Sequence, residues 1–246
     1  MLKESEAIVL RSYPLRESDL LVTFFTRAEG KLRGVAKSAL KSRRRFGGAL
    51  EPLTAVRVYW QERERQDLAR IDSCDVLDSP LTDAVNYSRA VALAHVAEVL
   101  DELLPDREAN DPVFRLSNSV LQALKTGWIW APVTYFDLWM VRLTGLLPPL
   151  GACSVCGACL DDEAAYFHPL MDGLMCASDR RLACDVLAME SRALAAEMFR
   201  RPIGNFVQSH TAKPCGHDLR RFLIQRMERH MEKPLVTARM LEKLGD

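Results

Sequence analysis

The sequence predicts an α+β protein: a small N-terminal β-barrel, then a mainly α-helical domain that carries a cysteine-rich insertion. Three observations predict it. Residues 1–79 hold five short apolar stretches punctuated by glycine. From residue 80 the apolar residues recur at three- and four-residue spacing, the period of a helix. Between residues 148 and 185 that spacing lapses, and four of the chain's seven cysteines fall between Cys153 and Cys176. The chain therefore divides into 1–79, a helical domain made of 80–147 and 186–246, and the element 148–185 inserted within it.

The strands come first. EAIVLRSY (6–13) and DLLVTFFT (19–26) are apolar, and the RAEG turn that follows places Gly30 where a hairpin needs positive φ. KLRGVAK (31–37) alternates imperfectly, with Gly34 marking a bulge or a close approach. PLTAVRVYWQ (52–61) and DLARIDSCDVL (67–77) complete five strands in about 80 residues, the pattern of a small closed barrel. An OB-fold is the commonest such barrel that handles nucleic acid. A first helix opens at Ser79-Pro80 and closes at Pro105. A second runs from a cap near Asn110 to Gly127, and a third spans 131–148. Helical spacing returns over 187–200 and 216–232, and TARMLEKL (237–244) closes the series.

The chain has 246 residues, 48% of them hydrophobic, enough for two or three small domains with a real core. No apolar run reaches the roughly 18 residues that span a bilayer, and the stretch before Arg11 is too short for a signal peptide. A cytoplasmic protein with no membrane partner is the expectation. In that compartment clustered cysteines serve metals or redox chemistry more often than disulfides.

Cys153 and Cys156 bracket two residues and precede Gly157, the C-x-x-C-G turn of a zinc knuckle. Cys176 opens CASD, where a regular zinc ribbon would carry its fourth cysteine at the position of Asp179. Cys159 is the preferred replacement because it extends the knuckle; Asp179, His168 and Cys184 are the other candidates. The expected site is thus Cys153, Cys156, Cys159 and Cys176 around a structural Zn²⁺, since four protein ligands leave no position for water. A redox pair would want C-x-x-C at the head of a helix in a βαβ unit, which the pattern lacks. A deaminase would want H-x-E before P-C-x-x-C, and FHPL does not supply it. Cys74 and Cys215 stand alone and read as inert.

Equal numbers of basic and acidic residues, 33 each, hide a segregation. Residues 31–50 carry seven basic residues and no acid; 61–111 carry five arginines against thirteen acids; 198–243 carry ten basic residues and four acids. Seven like charges crowd one segment: Lys31, Arg33, Lys37, Lys41, Arg43, Arg44 and Arg45. They form either a solvated loop or a phosphate track, and the track is the functional reading, with binding that weakens steeply in salt. Tyr13, Phe24, Phe25, Phe46, Tyr59 and Trp60 are candidate stacking platforms, though some of them must be barrel core. Arg200-Arg201 and Arg220-Arg221 read as solvated helix faces. The acids of 61–111 suit a solvated surface or a partner-docking face.

At these residues the chain resembles the bacterial RecO family of recombination mediators. The likeness rests on AIVLRSY, E-x-D before the second strand, FFT-x-x-x-GK at the hairpin, GVAK, a basic run ending in GALEP, the CSVCG knuckle and the LRRFLIQRMERHMEK tail. The resemblance implies an OB-fold followed by a helical domain with an inserted zinc element. It also implies binding of single- and double-stranded DNA, annealing of complementary strands, and loading of RecA, together with RecR, onto strands coated by single-strand DNA-binding protein. Contact with that protein's acidic C-terminal tail, and a nucleoid-associated cytoplasmic location, follow from the same likeness. The missing cysteine at Asp179 departs from the family pattern.

The expected activity is non-catalytic. No G-x-x-x-x-G-K nucleotide loop and no G-x-S-x-G elbow occurs. Rival readings are an RNA-binding or ribosome-assembly module, a zinc hydrolase, and a protein-binding scaffold. Competition between single-stranded DNA and RNA, metal analysis with cysteine substitution, and pull-down without nucleic acid separate them.

Overall fold

The computed structural model describes the whole chain except residues 63–66, 82–84, 162, 181–182, 210–215 and 246. Five strands, β1 (Leu2–Pro14), β2 (Leu20–Thr26), β3 (Gly30–Ala36), β4 (Ala55–Gln61) and β5 (Ala69–Asp78), close into a barrel in the order β1-β2-β3-β5-β4. All pairings are antiparallel except β3 with β5, which run parallel over Gly34–Ala36 and Ala69–Ile71. This is OB-fold topology.

Alternating side chains fill the barrel. Ala7 and Val9 of β1, Val22 and Phe24 of β2, Leu32 of β3, Val56, Val58 and Trp60 of β4, and Ile71 and Cys74 of β5 form one buried cluster. β1 and β2 are buried on their other face too, at Ile8, Leu10 and Phe25. Helix α1 (Tyr87–Leu103) packs on β1, and Phe114 of α2 (Asp111–Leu124) meets Phe25 with ring centroids 5.7 Å apart. That explains why these strands read as continuous apolar runs.

Gly34 marks a close approach, not a bulge; the bulge in this part of the barrel lies in β1 between Val9 and Arg11. A Cβ at Gly34 would stand 2.5 Å from Ile71 Cδ1 and 2.9 Å from the Ala69 carbonyl oxygen. Only a residue without a side chain lets β3 and β5 pair and shut the barrel. Gly34→Val is expected to cost about 3 kcal/mol, which lowers the thermal midpoint by roughly 6–12 °C for a chain of this size. Gly48→Ala, where an added Cβ meets nothing within 4 Å, is the control and should leave the melting curve unchanged.

Helix α1 starts at Tyr87, later than the Ser79-Pro80 start expected from sequence. Asn86 caps it, accepting from the Arg89 amide at 2.8 Å, and Asn110 caps α2 in the same way through Val113. Acids at the end of α1 and in the loop after it tie the helices to the barrel. Asp101 and Glu102 pair with Arg11, and Asp106 pairs with Lys31 and Arg33. Glu62 and Glu29 share Lys3 and Arg107, and Asp78 holds Lys125. Many of the acids expected to form a solvated face therefore serve internal ion pairs.

The chain forms two compact units, Met1–Lys125 and Thr126–Asp246. Compactness thus groups α1 and α2 with the barrel, whereas the boundary at 79/80 separates strand from helix character. The second unit contains α3 (Trp130–Leu143), a hairpin of β6 (Ala165–Phe167) and β7 (Asp185–Leu187), and four further helices. These are α4 (Met189–Arg200), α5 (Ile203–Ser209), α6 (His217–Met231) and α7 (Val236–Gly245). α3 is buried along nearly its whole surface, with Tyr135 against Phe206 and Trp139 edge-on to Phe199. Among the described residues no helix is long and apolar enough to cross a membrane.

Candidate nucleic-acid interface and metal centre

The basic segment follows β3 and is pinned from below. Phe46, in the middle of the charge run, is 2% exposed and belongs to the barrel core. Arg45 lies over its ring at 5.0 Å, donates to the Lys37 carbonyl at 2.7 Å and to Ser42 Oγ at 3.1 Å, and accepts the Cys74 amide on its own carbonyl. Ser38 and Leu40 donate their amides to Asp19 Oδ1 and the Ser18 carbonyl in the β1–β2 loop. A segment of such composition would otherwise be a mobile loop; here four anchors give it one path.

The seven expected phosphate contacts separate into two groups. Lys31 is 7% exposed, with Nζ 2.6 Å from the Asp101 carbonyl and 3.2 Å from Asp106 Oδ1, so it faces inward. Arg33 is exposed but lies 3.7 Å from Asp106, and Arg45 is the loop's own brace. Lys37, Lys41, Arg43 and Arg44 are exposed, and among the described residues no carboxylate pairs with them. Of the aromatic platforms, Phe24, Phe25, Phe46 and Trp60 are core residues. Tyr13 is exposed and Tyr59 half-buried. The barrel therefore offers a cationic surface with little to stack a base upon.

The other basic clusters are largely engaged. Arg220 is buried, stacked 4.3 Å over Trp130 and bonded to Thr134 Oγ1; Arg221 pairs with Asp185 and Arg201 with Glu197. Arg226 and Arg229 donate to the carbonyls of Met171 and Pro169 and share Asp172.

Those last contacts hold the cysteine element to α6. A second clamp comes from α4. Arg192, on the buried face of that helix with Ser191, Ala195 and Met198, gives its guanidinium to the carbonyls of Leu150, Leu160 and Glu163. An arginine on the buried face of a helix is the signal in the sequence that marks this clamp.

Within the element, the Cys153 amide donates to the Ala158 carbonyl and the Gly157 amide to the Cys153 carbonyl, closing a tight turn in which Gly157 takes φ +76°. The Asp179 amide returns to the Cys176 carbonyl, so Cys176 and Asp179 share a second turn. The two turns face each other. Cys153, Cys156 and Cys176 sulfurs and an Asp179 oxygen all lie within 4.8 Å of one another. Cys156 and Cys176 sulfurs are 3.8 Å apart, and Asp179 Oδ2 is 3.2 Å from both Cys153 and Cys176. A tetrahedron with metal–sulfur bonds of about 2.3 Å has edges of about 3.8 Å between sulfurs and about 3.5 Å from sulfur to oxygen. The donor set fits a divalent cation with little adjustment.

The fourth place, expected from Cys159, is taken by Asp179. Cys159 sits in the bridge to Ala152 with its side chain exposed, because the chain leaves the knuckle there in extended form. His168 Nδ1 accepts the Leu170 amide in its own turn, and neither His168 nor Cys184 belongs to the group. Hydrogen bonds from Cys156, Cys153 and Cys176 hold the Asp179 carboxyl below the usual carboxylate range. The same carboxylate pushes the Cys156 thiol up to about 12. At Cys153 burial works upward, but amide hydrogen bonds from Cys156, Cys176 and Val155 outweigh it and leave the thiol below its ordinary value. Three sulfurs crowd one carboxylate, a donor arrangement that suits a cation. Cys74 is buried in the barrel and its thiol is raised to about 12 by desolvation, which agrees with its reading as inert. Cys215 lies outside the described residues.

Fold and site together define an α+β protein: an OB barrel with an anchored cationic loop, joined to helices that clamp a thiolate-rich knuckle. The comparisons with known proteins agree. Residues 1–80 match the family described as Recombination protein O N terminal, and residues 85–239 match Recombination protein O C terminal. A "DNA repair protein RecO" of Koribacter versatilis (strain Ellin345) is 66% identical over 244 residues, 99% of this chain and all of the other. The protein of the same name from Anaeromyxobacter sp. (strain K) is 33% identical, covering 97% of this chain and 95% of the other, and that of Syntrophotalea carbinolica is 28% identical at the same coverage. The chain belongs to the RecO family of DNA repair proteins.

Proposed function

We propose that the protein is a non-catalytic DNA-binding mediator of recombination. It holds single- and double-stranded DNA on the barrel's cationic loop, anneals complementary strands without ATP, and acts with RecR to load RecA onto strands coated by single-strand DNA-binding protein. The observation that carries the reading is the set of four exposed cations, Lys37, Lys41, Arg43 and Arg44, unpaired among the described residues, on a loop held in place by Phe46 and Arg45. Two polyanions resist approach because their charges repel, and a fixed cationic track lowers that barrier without covalent chemistry. Bases left unstacked by the protein stay available to pair.

We assign the Cys153, Cys156, Cys176 and Asp179 group to a structural Zn²⁺. The ion would supply a cross-link between the two turns, beyond the Ser154 amide that already reaches the Leu174 carbonyl. The three-part division at 79/80 and 147/148, with 148–185 as the zinc element, is our proposal for domain organisation. Nucleoid-associated action in the cytoplasm and contact with the coating protein's acidic tail belong to the same proposal. The test is a fluorescence annealing assay on complementary oligonucleotides across a salt series. Annealing should be equal with and without ATP and should fade as salt rises; a rate that needs ATP or ignores salt counts against the reading.

A further inference from the structure

The cysteine element presents one of its sulfurs to solvent. Cys153 is 3% exposed and Cys176 9%, whereas Cys156 lies open, inside an exposed run from Ser154 to Cys159. A site whose sole task is to staple two turns gains nothing from an open donor, because an oxidant reaches whatever sulfur water reaches. Cys156 also faces a second sulfur, that of Cys176, at 3.8 Å. Main-chain contacts help to set that distance. The Ser154 amide and hydroxyl both donate to the Leu174 carbonyl, at 2.8 and 3.0 Å. Gly173 packs so closely that a Cβ there would stand 2.8 Å from Ser154 Cβ. The turn of Cys156 is thus held against the turn of Cys176. Disulfide sulfurs lie about 2.05 Å apart, so the pair has about 1.8 Å to close.

Resting on the zinc assignment above, we propose that Cys156 is a site of reversible oxidation by hydroperoxides, with Cys176 as the resolving thiol. A cysteine that ligates a metal does so as the thiolate, which is the nucleophilic form. The Cys156 thiolate attacks one peroxide oxygen, the O–O bond breaks, and the alkoxide or hydroxide that leaves takes a proton from water. Cys156 is then a sulfenic acid. The Cys176 thiolate attacks the Cys156 sulfur, the S–S bond forms, the S–O bond breaks, and hydroxide leaves. Each sulfur gives up one electron, and the peroxide takes both. Cys153 and Asp179 remain as donors, too few for a tetrahedral ion. The zinc is released, and the disulfide keeps the two turns joined. Cys159 is exposed but stands outside the donor group and takes no part.

The test treats the zinc-loaded full chain with hydrogen peroxide and follows it with a chromogenic chelator and, after alkylation, by mass spectrometry. About one zinc per chain should be released and about two thiols lost. Cleavage after the acids at 161–163, Asp172 and Asp179 parts Cys176 from the three upstream cysteines. Tandem fragmentation should then show it joined to Cys156. Cys159→Ser should release zinc and form the same link, and a dithiol reductant with added zinc should reverse both changes. Several results overturn the proposal while leaving the metal site intact. They are zinc retained while Cys159 is oxidised, release with Cys153 or Cys159 as the partner of Cys156, a sulfinic acid at Cys156, or no link in Cys159→Ser. Wild-type protein that holds no zinc before peroxide is added overturns the metal assignment instead.

Discussion

Replacing Lys37, Lys41, Arg43 and Arg44 together by glutamate is expected to reduce affinity for a single strand by on the order of 10³-fold near 0.1 M salt. The magnitude follows from counterion release: four contacts at about 0.7 each give a salt slope near 2.8, and charge reversal adds repulsion. The fold should survive, because all four side chains are exposed and none has an ion-pair partner among the described residues. Arg45 is left in place because it braces the loop through Lys37 and Ser42 and covers Phe46. Lys31 is left because its ammonium is committed to Asp101 and Asp106. Anisotropy titrations at several salt concentrations, with a thermal melt beside them, make the check. Unaltered affinity in a variant that melts like wild type would show that DNA lies elsewhere.

The second large effect concerns the knuckle. Cys176 touches both Cys156 and Asp179, so Cys176→Ser removes the donor that joins the two turns. The wild-type protein should carry about one zinc per chain, and the variant much less. Structural zinc supplies about 10–16 kcal/mol of apparent binding free energy in isolated fingers, so the element should melt without it while the barrel persists. Asp179→Cys should act in the opposite direction: four thiolates hold zinc more tightly than three and a carboxylate, and a chelator should strip the variant more slowly. Uptake displaces thiol protons, so affinity in both proteins should rise with pH. Metal analysis with chelator competition is the measurement. Equal zinc content in wild type and Cys176→Ser would remove Cys176 from the site.

Much of this was legible in the chain because the signals are local. Five strands show as apolar stretches between glycines, and the helices show as a change of period. The parallel closure of β3 on β5 was not legible, since nothing near Gly34 names Ile71 as its neighbour; the glycine announced only that something comes close. The knuckle was legible from C-x-x-C-G. Ligand softness favours Cys159 as its fourth donor, while the backbone decides reach: Cys159 departs in an extended bridge, and Asp179 turns back on Cys176 to stand beside the three sulfurs. The charge run was legible as a run. Which of its members are free was not, because Asp106 lies more than seventy residues from Lys31 and Arg33. Phe46 looked like a stacking platform from its basic neighbours, yet its ring closes the barrel.

The acids at the end of α1 and the Phe114 ring of α2 bear on where the molecule can be cut. A fragment ending at residue 80, where strand character stops, would bare Ile8, Leu10 and Phe25, strip Arg11 and Lys31 of their counter-charges and leave Arg27 with Glu6 alone. Such a piece would be sticky and over-cationic, and its grip on nucleic acid would say little about the parent. A fragment ending at Lys125 keeps that back wall in place, and is the piece in which the proposed DNA contact is fairly tested.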